Sequence, residues 1–396
     1  REKKKKNNNK KKSFIEVVEN TFKPNPQPQY PASVMKSKYR IDFFIPIDLD
    51  KLVPNGKVSV SSKELDALQP YINYYEGILL AAQKLAKDSI QLEIQIHEER
   101  NGTFDLNYLK SAKNLNESDL FIGFVQSRDI PNIAAYAKDL HINFISTFSP
   151  SDAGVTENPY FHILQPTFNT NFEVLINFVK KHYPKHKKFI FYQDDTRGNE
   201  MNLFIRQAFS KDKQLQSQVI NPEILKKEQL MRFLDSNSVN VIFMPVLPPA
   251  EVDKILAAFE ALPENYRLEI FGSPTWKYLK SIKQLKEKDN IVMYYTTAFH
   301  YDTATAIGKE ISQSYTTSYK GKPGEMVYRG YENTIWFGHL LHKYGTIFNN
   351  SISDLLYSQF TDYDFQQVEV NGKVQYFENK FLYINKAHNG VLQFVK

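Results

Sequence analysis

The stretch DLFIGFVQSRDIPNIAAYAKDLHINFISTFSPSD, residues 119–152, is the most informative part of this 396-residue sequence. It contains two short apolar runs, at 119–125 and 142–147, and a helix-like segment at 131–140 between them. Apolar runs of this length, bounded by turn-forming residues, are typical of strands buried in a sheet. Strands separated by helices form βαβ crossovers, so the stretch predicts an α/β protein with a parallel sheet.

The same alternation of strand and helix signals extends in both directions along the chain. Before the stretch, the predicted elements are a strand at 40–47, a helix at 71–88 and a strand at 90–96. After it comes a second series: a helix at 171–183, strands at 188–193, 239–244, 267–272 and 290–299, and helices at 201–209, 250–262, 302–319 and 331–343. The last fifty residues return to strand signals, with NGK at 371 and HNG at 388 predicting hairpin turns. Two α/β lobes of similar design follow from this order.

The charge of the chain is concentrated at its beginning. The formal net charge is +6, and the first twelve residues, REKKKKNNNKKK, carry eight basic residues and one acidic residue, or +7. The rest of the chain therefore has 50 − 8 = 42 basic and 44 − 1 = 43 acidic residues. A nearly neutral body gives no support for nucleic acid as a partner. The basic run predicts a solvated tether, or alternatively an anchor to an anionic surface.

Several kinds of chemistry are excluded by the sequence. There is no cysteine, which excludes disulfides, thiolate zinc sites and a cysteine nucleophile. Neither GxGxxG, a P-loop nor GxSxG is present, so we expect no nucleotide cofactor and no catalytic residues. Asp194 and Asp195 follow a strand and suggest either a paired-carboxylate site or, more simply, a helix cap; His339 and His342 suggest a metal pair or ordinary hydrogen bonds. We favour the simpler interpretation of both pairs, so that no metal site is predicted.

The order of these elements resembles that of the type 1 periplasmic binding proteins, the leucine/isoleucine/valine-binding family of ABC importers. In that family, one strand ends in Gly with Ser four residues later, as Gly123 and Ser127 do, and the next strand runs into a small-residue loop, as at Ser149. The resemblance continues through NPYFHILQPTFNTNFEVLINFV, KFIFYQDDTRGNEM and GYENTIWFGHLL. It covers residues 38–396.

This resemblance implies an α/β fold of two Rossmann-like lobes, whose parallel central sheets are joined by a multi-strand hinge. The implied division is a Lys/Asn- and Pro-rich tail and linker at 1–37, a first lobe at 38–166 plus 299–345, and a second lobe at 167–298 plus 346–396. The implied function is that of a non-enzymatic solute-binding protein, which closes on an amino-acid-like or other small polar ligand in the periplasm or cell envelope. Its implied partner is an ABC transporter permease or a cell-envelope component, with the tail tethering it to an upstream domain or membrane anchor.

Two other functions are compatible with the sequence. The fold could serve as a structural or sensory module that binds a protein or a cell-wall partner instead of transporting a solute. An enzyme built from two Rossmann-like lobes, such as a glycosyltransferase, is disfavoured because phosphate-binding glycines are absent.

The resemblance also implies a set of ligand-binding residues. In the family, residues at the positions of Ser127, Ser149 and Ser151 hold a ligand carboxylate. The acidic residue that would hold a ligand amine is missing, because the turn after Gly272 reads Ser-Pro-Thr-Trp, which argues against an α-amino acid. Further ligand-binding candidates, each with an ordinary structural role as the alternative, are Arg197 for an anion, Trp276 for stacking and Tyr301 at the hinge.

Overall fold

The computed structural model describes residues 28–283 and 288–395 and consists of two α/β lobes, each built on a seven-stranded sheet. The first sheet has the order β11-β12-β5-β4-β3-β1-β2, from β1 (Lys38–Ile45), β2 (Gln91–Glu98), β3 (Leu120–Gly123), β4 (Asn143–Ser146), β5 (Phe161–Ile163), β11 (Phe365–Val370) and β12 (Lys373–Asn379). The second has the order β14-β13-β10-β9-β8-β6-β7, from β6 (Lys188–Tyr192), β7 (Gln216–Val219), β8 (Val239–Met244), β9 (Arg267–Gly272), β10 (Ile291–Thr297), β13 (Tyr383–His388) and β14 (Val391–Val395).

Helices cover the faces of both sheets. They are α1 (Leu49–Leu52), α2 (Ser62–Lys87), α3 (Leu106–Ala112), α4 (Ile130–Asp139), α5 (Phe168–His182), α6 (Thr196–Ala208), α7 (Lys227–Leu230), α8 (Pro249–Glu260), α9 (Ala306–Tyr319) and α10 (Glu325–Tyr344). The start of α2 is fixed by a capping box, because Ser61 accepts from the Glu64 backbone and the Glu64 carboxylate accepts from the Ser61 backbone. None of the helices in the described part of the chain is long and apolar enough to span a bilayer.

Helices α2 and α10 pack closely on the first sheet because each presents a glycine to the other. A Cβ atom on Gly77 would lie 2.2 Å from the Val327 carbonyl oxygen, and one on Gly330 would lie 2.1 Å from the Tyr74 carbonyl oxygen. These contacts bring α10 against the first lobe, where Trp336, Phe337 and Leu340 join the core. The helices of the range 299–345 therefore pack with the first lobe.

The chain crosses between the lobes three times: after β5, after β10 and between β12 and β13. The last crossing corrects the predicted division, which placed all of 346–396 in the second lobe. β12 pairs in parallel with β5, with Phe377 opposite His162, and Phe365 and Phe377 enter the first-lobe core. Residues 346–379 are therefore part of the first lobe, and only β13 and β14 complete the second sheet.

The two terminal hairpins turn where the sequence predicted. Asn371 and Gly372 have φ of 52° and 75°, and Asn389 and Gly390 have φ of 51° and 69°. Two successive left-handed residues form the turn type whose twist matches that of the flanking strands, and the Asn-Gly pair adopts it with little strain. Residues 1–27 of the predicted tail lie outside the described residues. The end of the linker packs on the first lobe, where the Ser33 hydroxyl donates to the Tyr344 carbonyl over 2.6 Å.

Candidate functional site

The carboxyl edge of the first sheet carries a pair of hydroxyls. Ser127 lies in the loop after β3 and Ser149 in the loop after β4, and their Oγ atoms are 2.8 Å apart. The two loops are held together by Thr147, whose hydroxyl donates to the Gly123 carbonyl over 3.0 Å. The structure thus brings together two of the three serines predicted in this lobe. Ser151 lies further along the same loop, and its hydroxyl oxygen accepts from the Ala153 backbone at 3.0 Å, which gives it a role in the turn.

Aromatic rings surround the serine pair. The ring of Phe124 lies 4.9 Å from that of Tyr71 and 4.5 Å from that of Phe148. Phe148 is 43% exposed, which is unusual for a phenylalanine next to a sheet edge. Together with Ser127 and Ser149, these rings line an open depression of about 450 Å³. The depression offers hydroxyl groups on an apolar surface, a combination typical of small-ligand sites.

A second, narrower cavity of about 20 Å³ continues from this depression toward the three chain crossings, which we call the hinge. It shares Phe124 and Phe148 with the depression and is closed by residues of the crossing segments and α10, among them Gln165, Phe299 and Arg329. The guanidinium carbon of Arg329 lies 4.8 Å from the centre of the Phe299 ring. We refer to the depression and this cavity together as the cleft.

Arg329 is the most constrained charged residue of the cleft, with only 9% of its surface exposed. Its Nη2 atom lies 2.9 Å from the Glu325 carboxylate, and Nη1 donates to the Gln165 side chain over 3.4 Å. Its Nε atom is buried and has no hydrogen-bond partner among the described residues. A buried donor that lacks a partner costs free energy, so the Nε–H group is available to donate to an additional acceptor.

An ion pair across the lobes involves the same carboxylate. Lys277, in the turn after β9 of the second lobe, places its Nζ atom 3.0 Å from Glu325 Oε1 at the start of α10. Burial by itself would raise the pKa of Glu325, but Arg329 and Lys277 together lower it below its usual range. Glu325 therefore remains ionised and is shared between cations from both lobes.

At the edge of the second lobe, Trp276 does not have the position that was predicted for stacking on a ligand. The indole is fully buried in the second-lobe core and lies against Gly272, where a Cβ atom would be 1.9 Å from the ring. Ser273 and Thr275 in the same turn donate to the Val246 and Leu247 carbonyls over 2.8 and 2.7 Å. Because the backbone turns inward here, Trp276 has the packing role that was the alternative to stacking on a ligand.

The other predicted residues are less enclosed. Arg197 is exposed in the first turn of α6, with its guanidinium 5.6 Å from the centre of the Phe168 ring. Tyr301 is half-buried after the second crossing and stacks on Tyr328 at 4.6 Å; burial raises its pKa. Neither residue lines the depression or the hinge cavity.

The simpler interpretation of Asp195 is confirmed. Its side chain caps α6 by accepting from the Gly198 backbone at 2.6 Å, and Asp194 accepts from the Asn199 side chain at 3.0 Å. Within residues 28–283 and 288–395, no group of three or more His, Asp or Glu side chains is arranged to hold a metal ion.

Comparisons with known proteins agree with this architecture. No protein-family profile and no curated protein matches the sequence. Solved structures do match: a putative branched-chain amino acid ABC transporter protein from Rhodospirillum rubrum has a TM-score of 0.63 at 11% identity, covering 90% of this chain and all of that one. The chain has the fold of type 1 periplasmic binding proteins.

Two further structures support the assignment of the type 1 fold. A Leu-bound ABC transporter substrate-binding protein from Desulfitobacterium hafniense has a TM-score of 0.56 at 12% identity, covering 90% of this chain and 100% of that one. A leucine-binding protein from Thermotoga maritima has a TM-score of 0.52 at 13% identity, covering 90% and 98%. The predicted fold class is thereby confirmed.

Proposed function

We propose that this protein is a solute-binding protein that closes its two lobes on a small ligand outside the cytoplasm. The main support is the position of the cleft. Its hydroxyls and rings lie at the carboxyl edge of the parallel strands of the first sheet, near an ion pair that joins the two lobes and beside three chain crossings. Ligands of open α/β sheets bind at such edges, and three short crossings allow the lobes to bend toward each other. We extend the proposal to delivery of the solute to an ABC transporter permease, with the basic tail as a tether.

A hydrogen-bond network at the hinge supports coordinated bending. The Glu378 carboxylate, at the end of β12, accepts from the Thr167 backbone at 2.7 Å and from the Thr170 hydroxyl at 2.6 Å, both just beyond the first crossing. Lys380, in the third crossing, donates to Glu378 and Thr170 over 2.5 and 2.7 Å. The first and third crossings are thus tied together, so that they would bend as one unit.

The serine pair is the proposed contact for a polar group of the ligand. Ser149 is buried while Ser127 is exposed, and each hydroxyl has only the other as a side-chain partner among the described residues. A ligand oxygen could accept from one hydroxyl while the pair remains intact. Arg197 and Tyr301 are proposed as secondary contacts that approach the ligand only when the lobes close.

A structural or sensory role is the second candidate function. The observation that favours it is the small volume of the hinge cavity, about 20 Å³, together with the Lys277–Glu325 ion pair that already joins the lobes. A protein that has lost its ligand would show this filled arrangement permanently.

Calorimetric titration with pools of amino acids, short peptides, sugars and organic acids distinguishes the two candidates. Solute binding predicts saturable heat with at least one pool, and a smaller radius of gyration by X-ray scattering when that solute is present. If no pool binds and scattering shows one unchanging shape, the solute-binding proposal is wrong and the structural role is favoured.

A further inference from the structure

The charged side chains that line the cleft among the described residues are all positive. Among the described residues, the lining of the depression and of the hinge cavity includes two arginines, Arg128 and Arg329, and no aspartate or glutamate. Each arginine has a glutamate partner that lies outside the lining: Glu99 at 3.3 Å from Arg128 and Glu325 at 2.9 Å from Arg329. A ligand in the cleft would therefore meet guanidinium groups directly and carboxylates only behind them.

Arg329 has capacity for another acceptor. A guanidinium has five N–H donors in a planar fork that suits a carboxylate. Two of its nitrogen atoms contact Glu325 and Gln165, whereas Nε is buried and has no partner among the described residues. A ligand oxygen at this end of the cleft would accept from the Nε–H group.

Glu325 shows that a carboxylate fits between the lobes. It is held at the same time by Arg329 of the first lobe and Lys277 of the second. A ligand carboxylate that competed for these cations would be bound from both sides, which would couple ligand binding to closure. The cost of burying its charge would be offset because both partners are charged hydrogen-bond donors.

The rest of the lining favours an apolar body. Phe124, Phe148 and Phe299 supply rings along the path from the serine pair to Arg329. A protonated amine in the same space would lie beside guanidinium groups with no carboxylate in the lining to accept from it, and an unpaired buried charge is costly.

We propose that the cleft binds organic acids that have an apolar body and no amino group, with Arg329 as the main contact of the carboxylate. This inference rests on the proposed solute-binding function. It differs from that function in fixing the charge of the ligand.

Matched probes test the inference by calorimetry on the full chain. The probes are 3-phenylpropanoate, phenylalanine and 2-phenylethylamine, and the corresponding isobutyl set of 4-methylpentanoate, leucine and 3-methylbutylamine. Each set holds the apolar body constant while the charged groups change. We expect at least one of the two acids to bind at least ten-fold more tightly than its amino acid, and the amines not to bind.

Variants of Arg329 and Glu325 test whether Arg329 is the main contact of the ligand carboxylate. Arg329→Gln should weaken binding of the acid at least ten-fold, whereas Arg232→Gln, a control at an exposed arginine of the second lobe, should leave it unchanged. Glu325→Gln keeps Arg329 and removes its carboxylate competitor, so it should strengthen binding of the acid several-fold. This second variant tests the inference even if Arg329→Gln does not fold.

The outcomes separate the inference from the function on which it rests. If an amine, an amino acid or a neutral pooled solute binds as well as the acids, or if the Arg329 and Glu325 variants leave acid binding unchanged, the inference is overturned while solute binding stands. If none of the six probes binds, the inference is also overturned, and the solute pools alone decide the function.

Discussion

The two lobes end their strands in opposite ways at the cleft. In the first lobe, the loops after β3 and β4 leave Ser127 and Phe148 open to solvent beside the buried Ser149. In the second lobe, the turn after β9 buries Trp276, and its Ser273 and Thr275 hydroxyls donate to carbonyls of the loop after β8. This turn therefore leaves few groups for a ligand apart from charged side chains such as Lys277. Under the proposed function, recognition would be concentrated in the first lobe and hinge, and the second lobe would close over them.

The largest expected effect is on stability, and it concerns Trp276 at the packed edge of the second lobe. Trp276→Ala should lower the free energy of unfolding by about 3–5 kcal/mol, because a fully buried indole leaves a cavity. Denaturant unfolding measures this change, and the fluorescence of Trp336, the other of the two tryptophans, reports the first lobe at the same time.

Tyr278→Ala is the matched control, since this ring in the same turn is 60% exposed and should change stability by less than about 0.5 kcal/mol. The comparison of the lobes breaks down if Trp276→Ala leaves stability intact but abolishes ligand binding.

The second effect concerns Glu332 in α10, beside the hinge. Its carboxylate is fully buried and accepts from the backbone N–H groups of Gln359 and Thr361, both at 3.2 Å. Burial raises its pKa from 4.5 to about 7, since these hydrogen bonds only partly compensate for it. The folded protein then holds a proton that the unfolded chain has lost, so this carboxyl's contribution to stability decreases as the pH rises from about 4.5 to about 7.

Glu332→Gln keeps an acceptor and cannot ionise. Its stability relative to wild type should therefore rise by on the order of 3 kcal/mol between pH 4.5 and pH 7. Denaturant unfolding across this range measures the difference, and Glu264→Gln, at an exposed carboxyl of the second lobe, should show almost none. A constant difference between variant and wild type would mean that the folded protein does not raise the pKa of Glu332.

The third effect is on ligand affinity, and it concerns the serine pair at the edge of the first lobe. Replacing both Ser127 and Ser149 by Ala should weaken binding of a cleft ligand by about 1–3 kcal/mol, because a buried ligand oxygen would lose its donors. Calorimetry gives the affinity and thermal unfolding the stability, which should fall by less than about 1 kcal/mol. Ser151→Ala, which affects a turn, is the control expected to leave affinity nearly unchanged. Equal affinities for the double variant and wild type would remove the serines from the site.

The smallest effect is that of the ion pair between the lobes. Lys277 and Glu325 are 21% and 29% exposed, so solvent screens their attraction and Lys277→Met should change stability by less than about 1 kcal/mol. X-ray scattering of the ligand-free protein should nevertheless show a slightly larger radius of gyration. The control is Lys254→Met, whose pair with Glu223 lies within the second lobe. If both variants scatter alike, the pair does not hold the lobes.

The fold could be predicted because its signals are local. Apolar runs such as 119–125 and the Asn-Gly turns at 371 and 389 specify strands and hairpins from their own residues. The allocation of the hairpins to the sheets could not be predicted, since the pairing of Phe377 with His162 joins positions far apart in the chain. The pattern of apolar and polar residues within one strand does not indicate which distant strand it will pair with.

The site was only partly predictable for a related reason. Ser127 and Ser149 were predicted from the family resemblance, and the structure brings their hydroxyls together because they follow neighbouring strands whose ends meet at one edge. Trp276 was misplaced because its direction depends on the close approach of Gly272. Arg329 was missed, although an arginine within an otherwise buried stretch of α10 was an available signal: long cations are seldom enclosed without a partner.

The two C-terminal hairpins are divided between the two sheets, and this has a consequence for folding during synthesis of the chain. Strands β5 and β10 gain their outer neighbours, β12 and β13, only when residues beyond 373 and 383 have been synthesised. Until then, both nascent sheets present an unpaired edge, and such edges invite pairing with other chains. A nascent or truncated chain that lacks its last thirty residues would therefore be prone to aggregate through both lobes at once.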